Sequence, residues 1–308
     1  MKNQKLMFDI TDTSTSEPLL QDGVFSQAIL AEGTMNHFSQ ILNAKDKVKL
    51  GIHQFGNVMQ SDSCNLGDQG AGTLSEKEVS VNSLAVRFSV CQRTLEQSFL
   101  SGRMTPGSNQ DNFLPSDFEA YLRTSLADKI SEDLERIVFK GDTTAGTYPE
   151  SLCDGLEKLL GLDADVITVV GTTVDETNVI EELSKVYDAI PNRILNQKDL
   201  VIFCSSAIIR GYRKALANAA NEAFYNHKDL ALNFLNVKLI EAYGMSDDRM
   251  IATSKSNLFM VTDVISDFDE IQLIPQFGIT GQHQIILSGS FKFATDFAIG
   301  SDIIFYTL

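Results

Sequence analysis

The chain has 308 residues, 43% of them hydrophobic and 21% charged, with 6 prolines against 20 glycines; it can bury a substantial core, and global disorder is excluded. The formal net charge of -16, with no run rich in Lys or Arg to offset it, repels phosphate backbones and excludes a sequence-reading nucleic-acid binder. Cys64, Cys91, Cys153 and Cys204 are too irregularly spaced for a zinc knuckle and too few for a disulfide scaffold, so they read as reduced thiols in a cytosolic protein. No stretch approaches the ~20 apolar residues of a membrane span, and MKNQKLMFDITDTSTSEP lacks the apolar run of a signal peptide.

From Met1 to Asp22 the chain is polar and aperiodic, an arm that needs a neighbour to hold it. Phe25, Ala28, Ile29, Phe38, Ile41 and Leu42 then recur at near-helical spacing and predict a modest or broken helix. The period changes to two at Val48, Leu50 and Ile52, again at Val79 and Val81, and in the opposite phase at Leu84, Val86, Phe88 and Val90, which predicts a hairpin with a bend after Val81. Between its arms lies QSDSCNLGDQGAGTLSEK, Gln60 to Lys77, far longer than the two to five residues a hairpin turn requires.

The clearest helix runs from Ser116 to Lys140. Ser116 and Glu119 have the spacing of a capping box, and Phe118, Tyr121, Leu122, Leu126, Ile130, Leu134, Ile137 and Val138 form one stripe. Asp128, Lys129, Glu132, Asp133, Glu135 and Arg136 are expected to face away, and Gly141 to end the helix as a left-handed cap. Downstream, Val166–Val170 and Leu200–Cys204 read as strands. Thr177–Ile190 reads as a helix stopped by Pro191, and a second helix, capped by Ser205 or Ser206, carries Ile208, Ile209, Tyr212 and Leu216. Short strands then follow at Val237–Ile240, Leu258–Thr262, Ile271–Ile274, Ile285–Ser288, Phe291–Phe297 and Ile303–Tyr306.

Signatures of chemistry fail one by one. Gly67, Gly70 and Gly72 have the wrong spacing for a phosphate cradle and read as tip glycines. Ser288 and Ser290 in ILSGSF lie within strand-like sequence, so an ordinary strand with a glycine bulge is favoured over a nucleophile elbow. His37, His53, His227 and His283 lack partners at metal-ligand spacing. Asp263, Asp267, Asp269 and Glu270 depart from the EF-hand pattern and read as a solvated acidic turn. Arg103, Arg123, Arg210 and Arg213 are expected to pair with neighbouring carboxylates instead of binding phosphate. No catalytic, cofactor-binding or metal-binding residue is assigned, and no cofactor is expected.

What remains is an architecture with two outward parts, a polar arm and a ribbon that is marginal in water alone. The order of elements resembles the major capsid proteins of tailed bacteriophages, the Hong Kong 97-like fold. The resemblance is carried by Glu135, Ile137, Gly141, Asp142, Pro149, Gly155 and Leu156 around the helix end, with Asp154 and a longer interval after Pro149 as departures. It is also carried by DLVIFCSSAIIRGYRKALAN (Asp199 to Asn218) and SNLFMVTDVISDFDEIQLI (Ser256 to Ile274). It implies an α+β fold with an N-terminal arm and helix over 1–46, an extended β-hairpin loop over 47–93 laid on a neighbour's spine helix, and a peripheral domain over 94–155 with its spine helix at 116–140. An axial domain over 156–257 and return strands over 258–308, shared by the peripheral and axial domains, complete it.

The resemblance further implies a structural protein, not an enzyme, that self-assembles into hexamers and pentamers of an icosahedral head enclosing double-stranded DNA. Scaffold, portal and decoration proteins are its possible partners, DNA is touched at most non-specifically, and no membrane is involved. The virion is its place, with assembly in the bacterial host cytoplasm. Some relatives join Lys to Asn covalently; Lys77 lies in the loop, but no Asn partner or acid is evident and the bond is not expected. The competing classes are an encapsulin-like shell around a cargo enzyme and a monomeric α+β enzyme.

Overall fold

Every residue of Leu200–Ser205 is buried, as a strand must be when both faces of its sheet are covered. This strand, β6, lies at the centre of a computed structural model that describes residues 33–42, 44, 46–55, 59, 62, 72–91, 116–219, 232–263 and 272–308. The predicted arm, most of the loop tip with Cys64, Gly67 and Gly70, Arg103, His227, and Asp267, Asp269 and Glu270 lie outside the described residues. So do the side chains of Ser116, Phe118, Glu119, Tyr121, Leu122 and Arg123.

In chain order the strands are β1 Ser39–Ile41, β2 Lys47–Phe55, β3 Gly72–Ser80, β4 Asn82–Cys91, β5 Ile167–Val170, β6, β7 Asn233–Phe234, β8 Val237–Ala242, β9 Met250–Ser254, β10 Leu258–Thr262, β11 Gln272–Pro275, β12 Gln284–Phe297 and β13 Ile304–Thr307. The helices are α1 Ser116–Lys140, α2 Leu156–Leu162, α3 Val179–Asp188, α4 Asn192–Leu195, α5 Ser206–Ala219 and α6 Phe277–Thr280. A six-stranded sheet runs β5-β13-β9-β6-β8-β7, and a five-stranded one runs β1-β10-β12-β11 with β4 on the other side of β12; among the described residues β2 and β3 pair only with each other.

The strand period decides how these layers meet. Leu200, Ile202 and Cys204 point to one face of the six-stranded sheet and pack with Leu183, Ile208 and Ile209 from α3 and α5. Val201 and Phe203 point to the other, where they join Ile130, Leu134, Ile137 and Phe139 of α1 and Phe291, Phe293 and Phe297 of β12. The long helix, roughly 37 Å at 1.5 Å per residue, is therefore the common floor of both sheets. Rings of Phe38, Phe139 and Phe203 lock the N-terminal segment, α1 and β6 together at centroid separations of 5.7 to 6.4 Å.

Several expectations are corrected. Phe38 to Leu42 is not helical: Thr34–His37 forms one 3-10 turn, after which β1 pairs in parallel with β10. Packing against Phe139 and Phe203 overrides the weak helical spacing there. Glu135, expected to face away, is 6% exposed. Met250–Ser254, too short and mixed to announce itself, is a wholly buried strand between β6 and β13. The stretches Ile285–Ser288 and Phe291–Phe297 are one strand of 14 residues. Gly289 stays in register opposite Val86, with no bulge, because the unbroken β4 ladder holds the backbone on one side while the other side passes from β11 to β10.

Candidate assembly surface

The end of the long helix shows why its sequence is punctuated by glycine. Gly141 is not in the left-handed region; positive φ among the described glycines belongs to Gly146 and Gly281. Its role is close approach: a Cβ there would fall 2.4 Å from the Cys153 carbonyl oxygen, and one on Gly155 would fall 2.5 Å from the Gly141 nitrogen. Bare backbones cross instead, with Gly155 N–H donating to the Gly141 carbonyl at 2.8 Å and Asp142 N–H to Glu150 at 2.8 Å. Lys158 then closes the crossing with ion pairs of 2.7 Å to both Asp142 and Asp154. Lys158 and the Thr144 hydroxyl and N–H hold the Asp142 carboxyl at about 2. The loop beyond carries Tyr148, which is exposed.

The opposite side of α1 receives the six-stranded sheet just as closely. A Cβ on Gly244 would lie 2.0 Å from the Glu135 carbonyl oxygen. The buried Glu135 carboxylate accepts hydrogen bonds from Thr34 N–H at 2.9 Å and the Thr34 hydroxyl at 3.0 Å, so it is satisfied without solvent. Glu157 on α2 accepts from Ser246 N–H at 2.7 Å, and burial pushes its carboxyl above the ordinary range despite that bond and the nearby Arg249 and Lys140. Backbone-to-backbone contact and these side-chain clamps make α1, α2 and the β8–β9 turn one rigid unit.

The β2–β3 ribbon is attached differently. Its base packs Leu50 and Val79 against Ala44, Val261 and Ala294. Lys77 reaches the body, its ammonium 2.6 Å from Asp296 Oδ1, 2.9 Å from the Phe297 carbonyl and 3.5 Å from the centre of the Phe297 ring. At Val81, whose N–H donates to Asp46 at 2.9 Å, the chain leaves the ribbon and β4 joins β12 for ten paired residues. The bend predicted from the change of phase is this exchange of partners. Within the segment read as one hairpin over 47–93, the described residues form a ribbon of 47–55 with 72–80 and then β4, a strand of the body.

Exposed apolar side chains sit on separate edges: Tyr148 after α1, Leu162 at the end of α2, Val170 on the edge strand β5, Tyr243 after β8 and Ile279 on α6, each 70% or more exposed. Spread in this way they suit several modest contacts better than one large interface.

The other residues singled out in the sequence are dispersed. Ser288 and Ser290 flank Gly289 inside β12, and strand continues to Phe297, so no strand-to-helix turn presents either hydroxyl. Asp263 accepts Lys292 N–H at 2.7 Å. Arg213 lies 3.9 Å from Glu241 and Arg210 donates to the Ser206 carbonyl at 3.1 Å. His37 lines a cavity of about 340 Å³ with Thr34, Asn36, Ile240, Glu241 and Tyr243, His53 is in β2, and His283 precedes β12. Cys153 and Cys204 are buried free thiols, and Cys91 is exposed. Among the described residues no three His, Cys, Asp or Glu converge as a metal site, and no helix is long and apolar enough to cross a membrane. The clasp at Lys158 and the buried Glu135 went unread in the sequence; only Asp154, the departure from the family pattern, pointed toward the clasp.

No protein-family model and no curated protein sequence matches the chain. Solved structures do. A chain of the capsid of an empty GTA particle is similar over 94% of this chain and 90% of its own, with a TM-score of 0.59 at 15% identity. One from the satellite phage P4 procapsid is similar over 88% and 93%, with a TM-score of 0.56 at 14% identity. One from a virus-like particle of Pyrococcus furiosus is similar over 92% and 96%, with a TM-score of 0.54 at 11% identity. With its long helix underlying two sheets, its protruding ribbon and near-complete coverage of these capsid chains, the protein has the Hong Kong 97-like fold of phage capsid proteins.

Proposed function

We propose that this chain is the shell subunit of a phage-type capsid, a structural protein and not an enzyme, built into the virion as hexamers and pentamers. The observation that carries this reading is the two-stranded ribbon, which has no further sheet partner among the described residues, on a fold whose solved neighbours are capsid chains. In this reading α1 is the spine helix, the six-stranded sheet belongs to the axial domain, and β10–β12 with β4 form the peripheral sheet, with β13 returning to the axial one. The ribbon lies over an adjacent copy and completes there the contacts it lacks at home. A net charge of -16 keeps the shell from gripping packaged DNA, which then fills it against repulsion that many cooperative contacts resist. Assembly takes place in the bacterial host cytoplasm, with scaffold, portal and decoration proteins as possible partners.

Phe55 and Gly72 are directly paired, so residues 56–71 can be replaced by Asn-Gly, a two-residue hairpin turn that keeps the ribbon register. The variant should fold and melt as the parent does yet form no closed shells in electron micrographs; shells at parental yield would sink the reading. A compartment holding a cargo enzyme shares this geometry, and nucleic-acid content separates the two. The chain has no Trp and 7 Tyr, so packaged DNA would dominate the ultraviolet spectrum of purified particles.

A further inference from the structure

On a subunit this acidic, cations left without carboxylates are informative. Most described basic side chains are consumed internally, as in Lys49–Glu76, Lys129–Glu132, Lys158–Asp142, Lys185–Glu182 and Lys214–Glu176. Lys238 and Lys255 are among the exceptions, as Arg87, Lys140 and Lys198 are: among the described residues no carboxylate pairs with any of them. Sheet register places Lys238 and Lys255 on the same face. Lys238 of β8 lies beside Val201 of β6, whose other neighbour is Thr253 of β9, and Lys255 follows two residues on. The 3-10 turn Thr34–His37 crosses this face, and the His37 ring sits 6.5 Å from that of Phe203. His37 therefore stands between the two lysines at the rim of the 340 Å³ cavity, beside the exposed Tyr243. Burial first, then the charges of Lys255 and Lys238, hold its imidazole below the ordinary value, leaving it a neutral hydrogen-bond donor near pH 7.

We infer that the face bearing Lys238, Lys255 and His37 receives carboxylate side chains from a second copy of this chain. The inference rests on the shell reading and names one of its contacts. Two bodies of charge -16 repel at long range, so a contact between them gains from cations without carboxylate partners; here Glu241 lies 3.9 Å from Arg213 and Asp199 accepts from Ser256, which leaves the two lysines unpaired. The cavity and Tyr243 supply apolar area for the stem of an incoming Asp or Glu. Nucleic acid fits less well, because a phosphate chain engages a run of cations and only two lysines stand on this face.

Carbodiimide coupling of assembled particles, made from mixed light and heavy isotope-labelled chains, reads the contact directly. Amide links between copies at Lys238 or Lys255 are expected, and particles carrying inter-copy links elsewhere but none at these lysines would overturn the inference. The folded double variant Lys238→Glu/Lys255→Glu should assemble about tenfold less, given the cost of like-charge contacts. A Lys198→Glu/Arg210→Glu control, with the same change in net charge, should assemble normally. Parental particle yield from the first variant overturns the inference, and if those particles also lose bound nucleic acid the face belongs to DNA. Failure of the parental chain to form particles would instead count against the shell reading.

Discussion

The body and the ribbon of this subunit are stabilised in different ways. In the body, β6 is buried on both faces and α1 contributes Ile130, Leu134, Ile137 and Phe139 to a core shared by two sheets. The ribbon has a small apolar patch at its base, one pinned lysine, and surface ion pairs such as Lys49–Glu76, whose partners are both mostly exposed. Such surface pairs add little to stability, because solvent screens them. The contrast teaches that, among the described elements, the ribbon is held to the body at its root by a few contacts while the body is held by a shared core.

The harshest break is Ile130→Asp, which buries an unpaired charge in the shared core and should cost about 3–5 kcal/mol. Loss of cooperative melting of the whole subunit is expected; if only assembly suffered, that side of α1 would face a neighbour. Next, Gly155→Ala forces a methyl into the Gly141 backbone and should cost about 3 kcal/mol, seen as a lowered denaturation midpoint. Lys77→Met, by stranding the buried Asp296, should cost about 2 kcal/mol. This loss should fall on the ribbon, with faster amide exchange in β2 and β3 and little change in β6.

Two smaller effects have opposite signs. Because the Glu157 carboxyl is raised by burial, its contribution favours low pH and is lost as pH rises through the raised value. Glu157→Gln should therefore raise the melting temperature near pH 7 and leave it unchanged near pH 4. Asp142, held at about 2, does the reverse: its contribution is full above its ordinary value near 4 and fades as pH falls toward 2. Carboxyl resonances followed through an acid titration would show whether it titrates that low, and Lys158→Met should move it upward toward the ordinary range, with the Thr144 bonds still holding it below.

Local pattern was enough wherever one period ran long. The 25 residues of α1 were legible from Ser116 to Lys140, as were β6, β8 and β10, because helix and strand periods are properties of neighbouring residues. The partner exchange at Val81 was legible too, as a phase change between Val81 and Leu84.

What stood outside that reach was everything decided by contact between distant residues. Gly141 looks like a helix cap in sequence, yet it is required because Gly155 and Cys153 pass within backbone distance. Glu135 looks like a surface acid, yet Thr34, 101 residues away in sequence, satisfies it in the core. Met250–Ser254 is a strand because two other strands flank it, and Phe38 is extended because two rings hold it. The sequence by itself determined the elements with a long period, their order and the net negative charge, since these follow from near-neighbour periodicity and composition. Tertiary structure decided where two backbones touch and which charges are buried or left unpaired, because such facts depend on partners that a linear spacing does not contain.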